Sequence, residues 1–396
     1  MIPVADAAAR IVAAFSALPA ETVSVAEAQG RVLAADVVAR VTQPPTAVSQ
    51  MDGYAVRGAD LIALPATLTR IGEAPAGRPF AGTIGPGQAV RIFTGAPMPD
   101  GADTVVLQED SDELDGRVTV REGTPGRWVR PAGLDFAAGA VGLRTGRLLT
   151  VRDVALAAAM NVPWLTVRRR PRVAILATGD EVVMPGDPLA PGQIVSSNGL
   201  ALAALVTKLG GIPVNLGIAP DRLDRLAEIA AGAAGCDLLV TTGGASVGEH
   251  DLIKDLPGVE LDFWKIAMRP GKPLMFGRLH AVPLLGLPGN PVSNLVCAHL
   301  FMRPVLRRLQ GTDAASESPV RARLGAPLAA NDKRQDHLRA TLAESADGLP
   351  VATAFPKQDS SMLSALAAAD CLIVRPPHAP AAQVGEPVEI LRLDAL

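Results

Sequence analysis

Between residues 171 and 310 the apolar positions alternate between short unbroken runs and longer stretches of helical spacing. Arg172–Thr178 is β-branched and apolar with no polar alternation, which predicts a strand buried on both faces. It stops at Gly179, with Asp180 and Glu181 directly after it. Residues 197–209 are apolar at helical spacing and end at Gly210-Gly211. A strand is predicted over 212–218 and a helix over 221–234, capped by Asp221. Residues 237–242 form another buried strand, followed by the loop GGASVGEHD at 243–251. After a strand at Val282–Leu287, PGNP at 288–291 opens a helix that runs to about Gln310, with Asn290 as cap and Pro291 in its first turn. Strands alternating with helices predict a doubly wound, mostly parallel sheet. Ligands of such sheets sit outside the carboxyl ends of the strands.

The flanks have a different texture. Residues 2–18 and 26–39 show helical spacing, and Gln43-Pro44-Pro45 breaks the pattern. Between 46 and 140, short β-like runs are separated by Gly and Pro turns, as in a small all-β module. A helix is expected over 151–160. Beyond the polar stretch GTDAASESP the short strands return. The expected fold is therefore multidomain α/β plus β, a central doubly wound sheet domain with two smaller β-rich modules. The division is a discontinuous helical and extended linking domain (1–45 and 141–170), an inserted β module (46–140), an α/β domain (171–311) and a C-terminal β-barrel-like domain (312–396).

Composition narrows the function. The net charge is −3 over 396 residues, so no global basic field invites nucleic acid, and aromatics at 3% disfavour base-stacking platforms. No apolar run is long enough to span a membrane, and Asp6 and Arg10 interrupt any signal-like start. Cys236, Cys297 and Cys371 lie far apart in apolar contexts, as expected of free thiols in a cytoplasmic protein.

The candidate chemistry clusters at turns. MDGYAV (51–56) places Asp52 in a tight turn, although a plain turn between strands explains the motif as well. RIFTGAPMPDGAD (91–103) offers the Thr94 hydroxyl and the backbone at Gly95. Glu181, beside Asp180 at a strand end, suits a Mg²⁺ ligand or a general base. In TTGGASVGEHD, Gly243 and Gly244 let the backbone approach an anion near Ser246, and Glu249 and Asp251 are potential metal ligands. The loop lacks the Gly-Lys-Ser/Thr ending of a P-loop. WKIAMRPGKP (264–273) packs Lys265, Arg269 and Lys272 among apolar residues, which favours anion binding. Pro288, Gly289, Asn290 and Pro291 put a helix N-terminus at the sheet edge, whose free N–H groups would add an anion site. Cations beside carboxylates suggest a divalent ion held jointly with substrate phosphate.

MDGYAV, RIFTGAPMPDGAD, VRPAGLDF, ATGDE, TTGGASVGEHD, WKIAMRPGKP and LPGNPVSN, in this order over roughly residues 1–390, resemble the molybdopterin molybdenumtransferase family. The resemblance implies an elongated homodimer in which the β module of one subunit completes the cleft of the other. It implies insertion of molybdate into adenylylated molybdopterin, with Mg²⁺-dependent hydrolysis and release of AMP. A molybdopterin adenylyltransferase and molybdoenzyme acceptors are the implied partners. Carried over, Asp52, Thr94, Glu181, Asp251, Lys265 and Arg269 are the expected catalytic residues, and Asp52, Glu181, Glu249 and Asp251 the expected metal ligands. Asp135, Gly179, Asp180, Gly243, Gly244, Ser246, Lys272, Pro288, Gly289, Asn290 and Pro291 are the expected pterin-binding residues. Arg269 stands where many relatives carry Lys. Three rivals stay open: an adenylyltransferase using ATP, a non-catalytic molybdopterin-binding scaffold, and a fold relative in which the same pocket serves another phosphorylated ligand.

Overall fold

In β strands buried on both sides, successive residues feed opposite cores, and the central strands do this throughout. The computed structural model describes residues 1–243, 252–312, 319–346 and 348–394. These form two units, one of 1–21, 30–34 and 167–396, the other of 22–29 and 35–166.

In the smaller unit, β1 (Gly53–Val56), β2 (Ala66–Ala74), β3 (Gln88–Ile92), β4 (Thr104–Leu107), β5 (Ser111–Leu114) and β6 (Arg117–Val120) form a sheet in the order β4-β1-β3-β2-β6-β5. Tyr54 and Val56 enter one core and Ala55 the other, so the strand that follows MDG is buried on both faces. A helix, α1 (Val151–Ala159), starts at a capping box in which Asp153 accepts from the N–H and hydroxyl of Thr150. The helical spacing over 26–39 gives no α-helix. A 3₁₀ turn spans Val25–Glu27, Gly30 sits at φ +75°, and Val37–Val38 is extended. Gly30 in the left-handed region ends the turn before a helix can propagate.

In the larger unit, β7 (Arg172–Thr178), α2 (Asn198–Lys208), β8 (Ile212–Ala219), α3 (Leu223–Ala230), β9 (Leu238–Thr242), β10 (Val259–Trp264), β11 (Met275–Leu279) and β12 (Val282–Leu287) build a sheet in the order β8-β7-β9-β12-β11-β10. The first four run parallel and the last two are antiparallel. Val173 and Ile175 of β7, Leu238 and Val240 of β9, and Leu285 and Leu287 of β12 enter the core under α2. Ala174, Leu176, Leu239 and Leu284 enter the opposite core with Leu226 of α3. Each Val, Ile or Leu among them contributes about 1.5–3 kcal/mol on burial. The N-terminal helix Val4–Ala13 buries Ala7 and Ile11 in the first of these cores. It lies in the larger unit with the sheet, whereas residues 141–166 lie in the smaller one. Asp221 does not cap α3. Arg222 stands at the cap without a side-chain hydrogen bond, and the Asp221 N–H is held instead by the Asp180 carboxylate at 3.0 Å.

After β12, α4 (Pro291–Cys297), a π-helical turn Ala298–Met302 and α5 (Arg303–Leu309) follow without a break. The C-terminal strands β13 (Val320–Leu324), β14 (Gln335–Ala343), β15 (Val351–Ala354), β16 (Cys371–Arg375) and β17 (Pro387–Arg392) pair in the order β14-β15-β13-β17-β16, and β16 returns to β14 to close a small barrel. Met268-Arg269 joins it by pairing parallel to Gln335-Asp336. Among the described residues no helix is long and apolar enough to cross a membrane.

Phe301, fully buried in the core beneath α2, tests this packing. Phe301→Ala is expected to cost about 3–5 kcal/mol, read as a fall in the urea midpoint of unfolding.

Candidate active site

The parallel strands β7, β9 and β12 end at one edge of the sheet, and their following turns frame an open cleft of about 980 Å³. Thr178, Gly179 and Glu181 line it after β7, Thr242 and Gly243 after β9, and Pro288 to Pro291 after β12. Residues 268–273 form another wall. Gly243 is at φ +89°, and a Cβ there would come 2.5 Å from the Thr178 carbonyl oxygen, so only glycine fits.

Of the expected cations, Lys272 lines the cleft, and no hydrogen bond or ion pair engages its ammonium among the described residues. Arg269 lines it too, but its guanidinium bonds the buried Asp336 carboxylate and lies 3.6 Å from Asp332. Lys265 is not brought into the cleft lining. Its Nζ lies 3.6 Å from the centroid of the Trp264 ring, a cation–π contact. Asp180 also stays out of the lining, engaged with the Asp221 N–H. Glu181 presents an exposed carboxylate to the cleft. Gly244, Ser246, Glu249 and Asp251 lie outside the described residues.

At the start of α4, Pro291 has no N–H and the Val292 N–H donates to the Ser360 carbonyl at 3.1 Å, while no hydrogen bond among the described residues engages the N–H of Ser293, which lines the cleft. Asn290 also donates its amide to the Ser360 hydroxyl at 2.9 Å. A loop of the barrel has used the helix start as its own anchor. That loop, Gln358 to Ser361, lines the cleft, as does Arg334. Arg339, almost fully buried, holds it by donating to the Gln358 side chain and to the Met362 carbonyl at 3.1 Å. The motifs of the sheet gave no hint of this wall. Asn198 was missed as well. It lines the cleft and donates to Thr242 and to the Gly289 carbonyl, tying two strand-end turns together.

In the smaller unit, Asp52 and Thr94 meet, although they are far apart in sequence. One Asp52 carboxylate oxygen accepts from the Thr94 N–H at 2.7 Å and from its hydroxyl at 2.8 Å. These bonds, the backbone one first, hold the carboxyl below its usual range, and Arg91 adds to the effect. Arg91 stacks over Tyr54 and Phe93 and donates to the Gly53 carbonyl, which fixes the MDG turn. Asp135 is exposed and takes no part in the pair; its N–H donates to the Gln43 carbonyl.

Among the described residues no three His, Cys, Asp or Glu side chains are arranged to cage a metal ion. The exposed Glu181 carboxylate suits a hard cation that takes one or two carboxylates and completes its shell with water and substrate phosphate. The residues present therefore fit Mg²⁺ as a shared ion of protein and substrate.

A parallel sheet whose strand ends open on a polar cleft, closed on one side by a barrel loop, defines a small-ligand-binding α/β protein with β-rich modules. Three family models match the chain: "MoeA N-terminal region (domain I and II)" over residues 2–161, "Probable molybdopterin binding domain" over 174–308 and "MoeA C-terminal region (domain IV)" over 321–393. The molybdopterin molybdenumtransferase of Nostoc sp. is 40% identical over 335 residues, 81% of this chain and 77% of that protein. Molybdopterin molybdenumtransferase 1 of Mycobacterium tuberculosis is 32% identical over 419 residues, 98% of each. The solved structure of a molybdopterin biosynthesis MoeA protein from Pyrococcus horikosii superposes with a TM-score of 0.85 at 31% identity, covering 99% of both chains. The chain belongs to the molybdopterin molybdenumtransferase family. It is a transferase of molybdenum-cofactor biosynthesis.

Asp332 reports on the wall that carries Arg269. Its carboxyl is held at about 2, first by the Arg334 guanidinium and then by the Arg334 N–H. A folded value below the ordinary 3.8 means this ion pair contributes fully above that pH and is lost as pH falls through about 2. A carboxyl ¹³C titration should place the Asp332 midpoint near 2, and Arg334→Met should return it toward 3.8.

Proposed function

We propose that this chain inserts molybdate into adenylylated molybdopterin, with hydrolysis of the phosphoanhydride and release of AMP. The observation that carries the reading is the cleft at the ends of β7, β9 and β12, where Lys272, unpaired among the described residues, and an exposed Glu181 share one cavity in a chain of this family. The glycine turns at Gly243 and Gly289 would let a phosphate approach the backbone. Lys272 offers it a mobile point charge. Arg269, already paired with Asp336 and close to Asp332, shapes the wall. Glu181 would hold Mg²⁺ together with the substrate phosphates, and the ion would supply neutralisation of charge on the phosphoanhydride. Glu181 would also orient the water whose oxygen forms the new P–O bond as AMP leaves. Asp52 in the smaller unit is a carboxylate fixed by Thr94. The working form is a homodimer in the cytoplasm, where the three buried thiols stay reduced. A molybdopterin adenylyltransferase would supply its substrate, and molybdoenzymes would accept its product.

Two variants test the roles. Glu181→Gln is expected to leave thermal unfolding unchanged and to lower kcat about 100-fold or more; full activity would remove Glu181 from the mechanism. Lys272→Met is expected to raise KM for adenylylated molybdopterin about tenfold, with a smaller change in kcat. An unchanged KM would show that the ammonium does not meet the substrate.

A further inference from the structure

The floor of the cleft contains a hydroxyl whose hydrogen-bonding role is fixed by its neighbours. Thr242, at the end of β9, is 3% exposed and lines the cleft. Its Oγ1 receives the amide nitrogen of Asn198 at 2.8 Å and that of Asn294 at 2.8 Å. Each amide has a second partner that can only accept: the Gly289 carbonyl for Asn198, at 2.7 Å, and the Pro288 carbonyl for Asn294, at 3.1 Å. A backbone carbonyl demands an NH₂ group, so neither amide can be turned round. Each NH₂ then spends one hydrogen on a carbonyl and the other on Thr242. A threonine hydroxyl has two acceptor positions and one proton. Both acceptor positions are filled, so Thr242 can act toward a further group only as a donor. Among the described residues no acceptor takes that proton. Gly243 and Gly289 pack closely beside it, a Cβ on Gly289 coming 3.5 Å from the Gly243 Cα.

We propose that Thr242 donates its hydroxyl proton to a phosphate oxygen of the bound ligand, with Asn198 and Asn294 as positioning residues that hold it in the donor-only state. The non-bridging oxygens of a phosphoanhydride carry no hydrogen at neutral pH and accept only, so they match what this hydroxyl offers. The proposal deepens the reading above and rests on it, since it assumes that the cleft receives the phosphate of an adenylylated ligand. It also assigns a specificity role: a ligand that presents a donor at this point would meet the Thr242 O–H, itself a donor.

The test is calorimetric titration of the full chain with AMP and, separately, with adenosine. Thr242→Val keeps the shape and removes the proton. It should weaken AMP binding about tenfold or more and leave adenosine binding unchanged, and Thr242→Ser should bind AMP as the wild type does. Asn198→Asp gives the Thr242 proton a carboxylate to bond. It should weaken AMP binding like Thr242→Val, and the double variant should show no further loss. Thermal unfolding of each variant checks the fold, and if Thr242→Val unfolds, the Ser and Asp variants still decide. AMP affinity that survives in Thr242→Val or Asn198→Asp overturns the proposal, as does an equal loss for AMP and adenosine. A wild-type chain that binds adenosine but gains nothing from the phosphate overturns it too. Failure of the wild type to bind either ligand instead sinks the reading of the cleft itself, and this inference with it.

Discussion

A sheet covered on both faces leaves its polar chemistry nowhere to go but the ends of its strands, and this constraint organises the larger unit. β7, β9 and β12 are apolar along their length because Val173, Leu238 and Leu285 feed one core while Ala174, Leu239 and Leu284 feed the other. The parallel register then delivers Thr178, Thr242 and Leu287 to the same edge. Gly179, Gly243 and Pro288 follow at once, so three turns meet in one cleft. Parallel strands place like ends together, which antiparallel neighbours cannot do.

At the start of α4, Pro291 has no N–H and the Val292 N–H is spent on the Ser360 carbonyl, which ties the helix to the barrel loop. Lys272, Glu181 and the backbone at Gly243 and Gly289 line the same cleft. Arg339, buried at the base of the barrel loop, directs its guanidinium to the carbonyl and amide oxygens of residues 357–362 and fixes the loop that closes the wall. The C-terminal barrel is thus part of the cleft and not an appendage to the sheet.

Much of this was legible from residue pattern. The unbroken apolar runs at Arg172–Thr178 and Val282–Leu287 coincide with strands, because burial on both faces leaves a period-free signature. Strands β10 and β11 were not read, since VELDFW mixes charge with apolar residues at a half-exposed sheet edge and MFGRL is interrupted by Gly277-Arg278. The closeness of Asp52 to Thr94 was not legible from spacing, because β1 and β3 pair across a long intervening segment. Arg269 shows the limit most plainly. Its sequence neighbourhood offered no carboxylate, and its partner Asp336 arrives from the barrel, 67 residues on. Asn198 was invisible for the same reason: its meaning lies in Thr242 and Gly289, which only the parallel register brings to it.

The central claim is that the cleft turns over an adenylylated pterin and that molybdate is what drives the turnover to product. The most direct measurement is AMP release from adenylylated molybdopterin in the presence of Mg²⁺, with and without molybdate. The account predicts AMP release that depends on molybdate and is accompanied by cofactor able to activate an apo-molybdoenzyme. Adenylylation of free molybdopterin by ATP with no insertion, or pterin binding with neither reaction, would contradict it.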